Sequence, residues 1–142
     1  MTRREQRTTV FDQLYFYGFY GEDSFEKQCD LYLETEVSNP SERAGLKAKA
    51  FNIISLIPEI DGLINKAAIG WKTDRMTRVD LAILRLAVYE AFYDESVPES
   101  VAINEAIELS KIYSGPEAAS FVNGILGKLS REKETKNGKD DI

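Results

Sequence analysis

The chain has 142 residues, 43% of them hydrophobic and 30% charged, and a formal net charge of -6. These values describe one globular domain with its own core, not a disordered chain or an ordinary pair of domains. Histidine is absent and Cys29 is the single cysteine, which excludes an internal disulfide, zinc sites, Cys–His nucleophiles and Ser–His–Asp arrangements. No phosphate-cradling glycine motif occurs and no carboxylate pair stands out, so the expectation is a non-enzymatic protein that carries neither metal nor cofactor.

Helical periodicity runs through the sequence, without strand-like alternation bounded by turn pairs. Residues 3–20 form the first expected helix, with Val10, Phe11, Leu14 and Tyr17 along one face. A second follows Ser24, read as its N-cap, and carries Phe25, Cys29, Tyr32 and Leu33. EVSNPS is a loop, after which Ser41 is read as the cap of a long helix striped by Leu46, Ala50, Ile53, Ile54 and Ile57. Pro58 kinks that helix or starts a new one that runs to about Ile69. GWKTDRMT is a connection.

From Val79 to Phe92 the chain is apolar nearly all round, which places this helix at the centre of the fold. Its Arg85 and Glu90 must find partners or emerge at an end. It is interrupted too often by charge to cross a membrane, and the N-terminus lacks a signal peptide's apolar core, so the expected location is the cytoplasm. Pro98 opens a helix with Val101, Ile103, Ala106, Ile107 and Leu109. Ser114-Gly115-Pro116 is a corner, and the last helix carries Val122, Ile125, Leu126 and Leu129. Asn123-Gly124 reads as a packing feature in which glycine allows close helix approach. Residues 1–130 thus form one all-α domain of about seven helices, and residues 131–142 a charged, disordered tail.

Charge is unevenly spread. Residues 1–10 hold Arg3, Arg4 and Arg7 against Glu5, so the remaining 132 residues carry -8. At about 100° per residue, Arg3 and Arg7 lie on the face of Val10 and Leu14. Arginine does not belong in a core, so the helix start must overhang the body or remain an unfolded arm. Guanidinium groups presented together suit phosphate, whose oxygens they bind bidentately. Tyr15, Phe16, Tyr17, Phe19 and Tyr20 follow; at helical spacing they suit a core, and Tyr15, at the edge of the stripe, is the best placed to stack on an unpaired base. Lys66 to Arg85 holds five basic and two acidic residues, whereas Glu90 to Glu108 holds six acidic and no basic ones.

The stretch VAINEAIELSKIYSGPEAASFVNGILGKL (101–129) resembles the C-terminal signature of the NusB family of transcription antitermination factors. VDLAILRLAVYEA (79–91) is similar to that family's central helix, and RREQRTTVFDQLY (3–15) to its arginine-rich start. The resemblance implies a seven-helix, all-α fold in two small helical subdomains, without catalytic activity. It implies binding of boxA leader RNA together with NusE, a ribosomal small-subunit protein, and loading onto RNA polymerase during transcription of ribosomal RNA operons. Residue by residue, it implies RNA contacts at Arg3, Arg4, Arg7, Glu117 and Phe121, and NusE contacts at Tyr15, Asp74 and Asp80. Glu5 stands where the family can have a further arginine. A homodimer is left open beside the monomer. The competing reading is a helical protein–protein adaptor without specific RNA binding.

Overall fold

The structure, a computed structural model, describes the backbone of residues 1–140 and the side chains of residues 1–133. Among the described residues it contains seven α-helices, one 3-10 turn and no strand: α1 (Arg3–Tyr20), α2 (Phe25–Glu36), α3 (Pro40–Ser55), α4 (Ile57–Ala67), the turn Thr73–Arg75, α5 (Arg78–Phe92), α6 (Glu99–Tyr113) and α7 (Pro116–Asp140). The chain divides into two compact units, Met1–Pro58 and a second that begins at Glu59.

In the first unit α1 packs on α2 and α3. Its buried face is Val10, Phe11 and Leu14, met by Phe25, Cys29 and Leu33 of α2 and by Leu46, Ala50 and Ile53 of α3. Each large side chain removed from water in this way contributes roughly 1.5–3 kcal/mol. Polar ties fix the packing. The Gln13 side-chain amide is fully buried and donates to the carbonyls of Thr9 and Leu46, both at 3.2 Å, which stitches α1 to α3. The Tyr32 hydroxyl donates to Asp12, joining α2 to α1. Burial pushes the Asp12 carboxyl above its ordinary range, and the Tyr32 bond opposes that shift in part. Lys47 of α3 bridges Glu26 and Asp30 of α2 at 3.1 and 2.8 Å.

Two caps differ from expectation. Ser24 stands at the N-cap of α2, but its hydroxyl donates back to the Tyr20 carbonyl and leaves the helix without a side-chain cap. Asn39, not Ser41, caps α3: its side-chain oxygen accepts from the Glu42 N–H at 3.1 Å, and Pro40 takes the first helical position, where no N–H is needed. The long helix expected across this region is broken at Leu56, so that Pro58 falls in the first turn of α4.

In the second unit α5 packs on α6 and α7, and α6 packs on α7. The run Ala82–Val88 of α5 is buried without interruption, which is why its sequence shows no polar face. Arg85 survives there because Asp61 of α4 grips its guanidinium in a two-pronged bond at 2.9 and 2.7 Å. On α6 the buried positions are Ala102, Ala106, Leu109 and Ser110, whereas Val101 is exposed and Ile103 and Ile107 are half-buried. Small alanines let α6 approach its neighbours closely, a role that a stripe of large residues does not reveal.

Gly115, at φ 119, ends α6, and Pro116 starts α7, as the corner motif requires. Val122, Ile125, Leu126 and Leu129 of α7 are buried. Gly124 does not serve close packing: it is exposed, and a side chain there would meet nothing within 4 Å. The backbone of α7 stays helical to Asp140, through most of the charged segment expected to be a disordered tail; residues 141 and 142 lie outside the described residues. Arg, Glu and Lys are strong helix formers, so helical backbone there needs no apolar stripe.

Candidate RNA and partner interface

The arginine-rich start is helical from Arg3. Thr2 caps α1, its hydroxyl accepting from the Glu5 N–H at 3.1 Å. Thr2-x-x-Glu5 has the spacing of a capping box, and Glu5 puts a negative charge at the positive end of the helix dipole. Glu5, the acidic residue within the arginine run, therefore suits the start of the helix. Exposure falls steadily along the face shared by Arg3, Arg7, Val10 and Leu14: Arg3 is exposed, Arg7 half-buried, Val10 0% and Leu14 1% exposed. The first turn overhangs the buried part of α1, and the arm is helical. Arg4 is exposed, and the Thr8 hydroxyl binds its carbonyl at 3.0 Å.

Glu117 and Phe121 lie in the second unit, at the start of α7 and one helical turn apart, which puts them on one face. Glu117 is exposed in the first turn, just after the Gly115 corner, and Phe121 is half-buried. That corner is tied by the Gly115 N–H to the Ser110 carbonyl at 2.7 Å. The arginines and this pair thus stand on separate units, each at its own helix start.

Tyr15 belongs to the first unit and is half-buried on α1. Its ring stacks on Phe19, centroids 6.2 Å apart, and meets Phe16 at 6.4 Å; Phe16 in turn meets Tyr32 edge-on at 5.3 Å. The aromatics after the arginines therefore form a cluster that stacks largely on itself. Asp74 and Asp80 belong to the second unit. Asp74 is exposed in the 3-10 turn, and Asp80 is half-buried in the first turn of α5. The backbone N–H of Asp80 donates to the Thr77 hydroxyl at 3.1 Å, but its Oδ1 is buried with no hydrogen-bond partner among the described residues. A buried acceptor left in that state costs roughly 1–3 kcal/mol, which a donor from a bound partner would recover.

Two features were not singled out in the sequence. Asp61 is the carboxylate that neutralises Arg85; only the approach of α4 to α5 reveals it, since the two are 24 residues apart. Trp71 is half exposed on the connection before the 3-10 turn, and its signal was the basic residues around it. Among the described residues, no helix is long and apolar enough to cross a membrane.

Comparison with known proteins places this arrangement. The NusB family model matches residues 4–131. The chain is 43% identical to the transcription antitermination protein NusB of Agathobacter rectalis, across 92% of this chain and all of that protein. With the NusB of Lachnoclostridium phytofermentans the identity is 44%, covering 91% and 98% of the two chains. Among solved structures, T. maritima NusB superposes with a TM-score of 0.82 at 32% identity, covering 93% of this chain and 92% of that one. A chain from the crystal structure of the antitermination factors NusB and NusE in complex with dsRNA superposes with a TM-score of 0.79 at 27% identity, covering 92% and 96%. Matched across nearly its whole described length, in sequence and in fold, the chain belongs to the NusB family.

Proposed function

We propose that the protein is a transcription antitermination factor that binds boxA leader RNA together with NusE and, carried on RNA polymerase, supports processive transcription of ribosomal RNA operons. The observation that carries this reading is its likeness, over nearly all of both chains, to a protein crystallised with NusE and double-stranded RNA. The protein works by binding alone, without a catalytic step, and acts in the cytoplasm where transcription occurs. Residues 1–130 are its RNA-binding domain.

Arg3, Arg4 and Arg7 bind phosphate. Guanidinium groups at the start of α1 are repelled by the positive end of its dipole. A phosphate beside them relieves that repulsion and takes bidentate hydrogen bonds from the forks. Glu117 and Phe121 supply a hydrogen-bond acceptor and an apolar face on the RNA side, suited to base edges rather than phosphates. Tyr15, Asp74 and Asp80 face NusE. A basic ribosomal protein suits an acidic surface, and a donor to the buried Asp80 Oδ1 would form a charge-assisted bond shielded from water. The adaptor reading has no observation in its favour.

The test is a gel shift with boxA RNA and with a scrambled RNA of equal length, each with and without NusE. Weak binding to boxA alone and binding at least ~10-fold tighter with NusE, a gain of about 1.4 kcal/mol, is the expected result. Equal affinity for the scrambled RNA in both conditions would refute the proposal.

A further inference from the structure

The segment between α4 and α5 is bound back onto the last turn of α4. Lys72 Nζ donates to the Asn65 carbonyl at 2.8 Å, and the Asn65 side-chain oxygen accepts from the Thr73 N–H, also at 2.8 Å. Gly70 turns the chain at φ 79, and the Trp71 N–H reaches the Ala68 carbonyl at 3.3 Å. This bonded loop nevertheless leaves its apolar side chains in water: Trp71 is 50% exposed and Ile69 is 82% exposed.

The charges around Trp71 are mostly of one sign. Lys66, Lys72, Arg75 and Arg78 are all exposed, against Asp74 alone, in a chain whose net charge is -6. The Lys72 ammonium is held at the Asn65 carbonyl and keeps two further N–H donors. Lys66 and Arg75 make no ion pair among the described residues. Beside Asp74, such a patch attracts a polyanion. An exposed indole in a basic segment is a platform for single-stranded nucleic acid: a base stacks on the ring while its flanking phosphates meet the ammonium and guanidinium groups.

We propose that the Lys66–Arg78 segment is a second RNA contact, taking unpaired nucleotides, with Trp71 as the stacking surface and Lys66, Lys72 and Arg75 as phosphate contacts. The proposal rests on the reading of the chain as an RNA-binding protein. It adds a site of low sequence preference, because every base offers a π-face. Its place is outside the arginine-rich start of α1 and beside Asp74, so a strand held there would pass next to the NusE contact.

Trp71 is the only tryptophan in the chain, so its fluorescence reads the site directly. The full chain is titrated with a short oligoadenylate at low salt. Saturable quenching is expected, and it should persist when Arg3, Arg4 and Arg7 are replaced together by alanine. Replacing Lys72 and Arg75 together by glutamine should flatten the slope of log K against log salt by about 1.4, at roughly 0.7 per single-strand phosphate contact. Trp71→Ala, followed by anisotropy of labelled RNA and checked for fold by circular dichroism, should weaken binding at least ~5-fold. Absence of quenching while the boxA gel shift is intact overturns this site and leaves the proposed function standing. Loss of both overturns both. Emission that responds to NusE, or to the protein's own concentration, but not to RNA makes the segment a protein-contact face and also overturns the proposal.

Discussion

Replacing Arg3, Arg4 and Arg7 together by alanine separates a binding arm from an idle one. The structure shows what the change should leave alone. Arg3 and Arg4 are exposed and Arg7 is half-buried, above the closed part of the core that begins at Thr9. The Thr2 cap on the Glu5 N–H uses none of the three side chains. Alanine is the better helix former, and each arginine removed relieves the dipole by a few tenths of a kcal/mol, which offsets the surface interactions that Arg4 and Arg7 give up, so Tm should change little. RNA binding should respond in the opposite sense. Each lost phosphate contact removes about 0.7 (single strand) to 0.9 (duplex) from the slope of log K against log salt, so three contacts flatten it by roughly 2–3 units. Between 50 and 200 mM salt the native protein should therefore lose on the order of 15–40-fold more affinity than the variant. The assay is anisotropy of labelled boxA RNA with NusE present, at several salt concentrations. An unchanged slope would refute the phosphate-contact argument, and a large fall in Tm would show that the arginines hold the fold.

Other outcomes follow from single contacts. Asp80→Lys should weaken NusE association by at least ~10-fold while far-UV circular dichroism stays native, because it reverses a charge at a buried acceptor; unchanged association in a pull-down or calorimetric titration would move the contact elsewhere. Asp61→Ala removes the two-pronged partner of Arg85 and should cost about 3 kcal/mol in urea unfolding, the lower end for a broken buried pair because Asp61 keeps some contact with water; a loss below ~1 kcal/mol would contradict that account. Burial holds the Cys29 thiol protonated by pushing its pKa up from 9.0 to about 12. The folded chain then keeps a proton that the unfolded chain releases, so this contribution is complete below pH 9 and is lost as the pH rises from there toward 12. Urea midpoints that fall above pH 9, less steeply in Cys29→Ala, would bear this out; identical profiles would not.

Much of this protein was written in periodicity. The apolar stripes of α1, α2, α3 and α7, and the polar-free run of α5, gave the helices and most of the core, because burial of one face imposes a 3.6-residue repeat on the sequence. The Gly-Pro corner was equally legible, since few residue pairs both end and begin a helix. The arginine cluster could be located from sequence, and the overhang could be argued from its clash with the Val10–Leu14 face. Caps were less legible: Ser24, Asn39 and Ser41 all have the right chemistry, and only the path of the backbone decides which oxygen meets an N–H.

What remained for tertiary structure was everything set by distance across the chain. No local pattern pairs Arg85 with Asp61, Asp12 with Tyr32, or the Gln13 amide with the Leu46 carbonyl; these exist because helices far apart in sequence pack together. The same holds for Trp71. Sequence offers it as one more aromatic in a connection, and only the structure shows it exposed on a loop that Lys72 and Thr73 tie back to Asn65. Sequence determined the helices and where the charge lies. Packing alone decided which charges are neutralised inside the protein and which are left for a ligand, because neutralisation depends on a partner within a few ångströms and not on a neighbour in the chain.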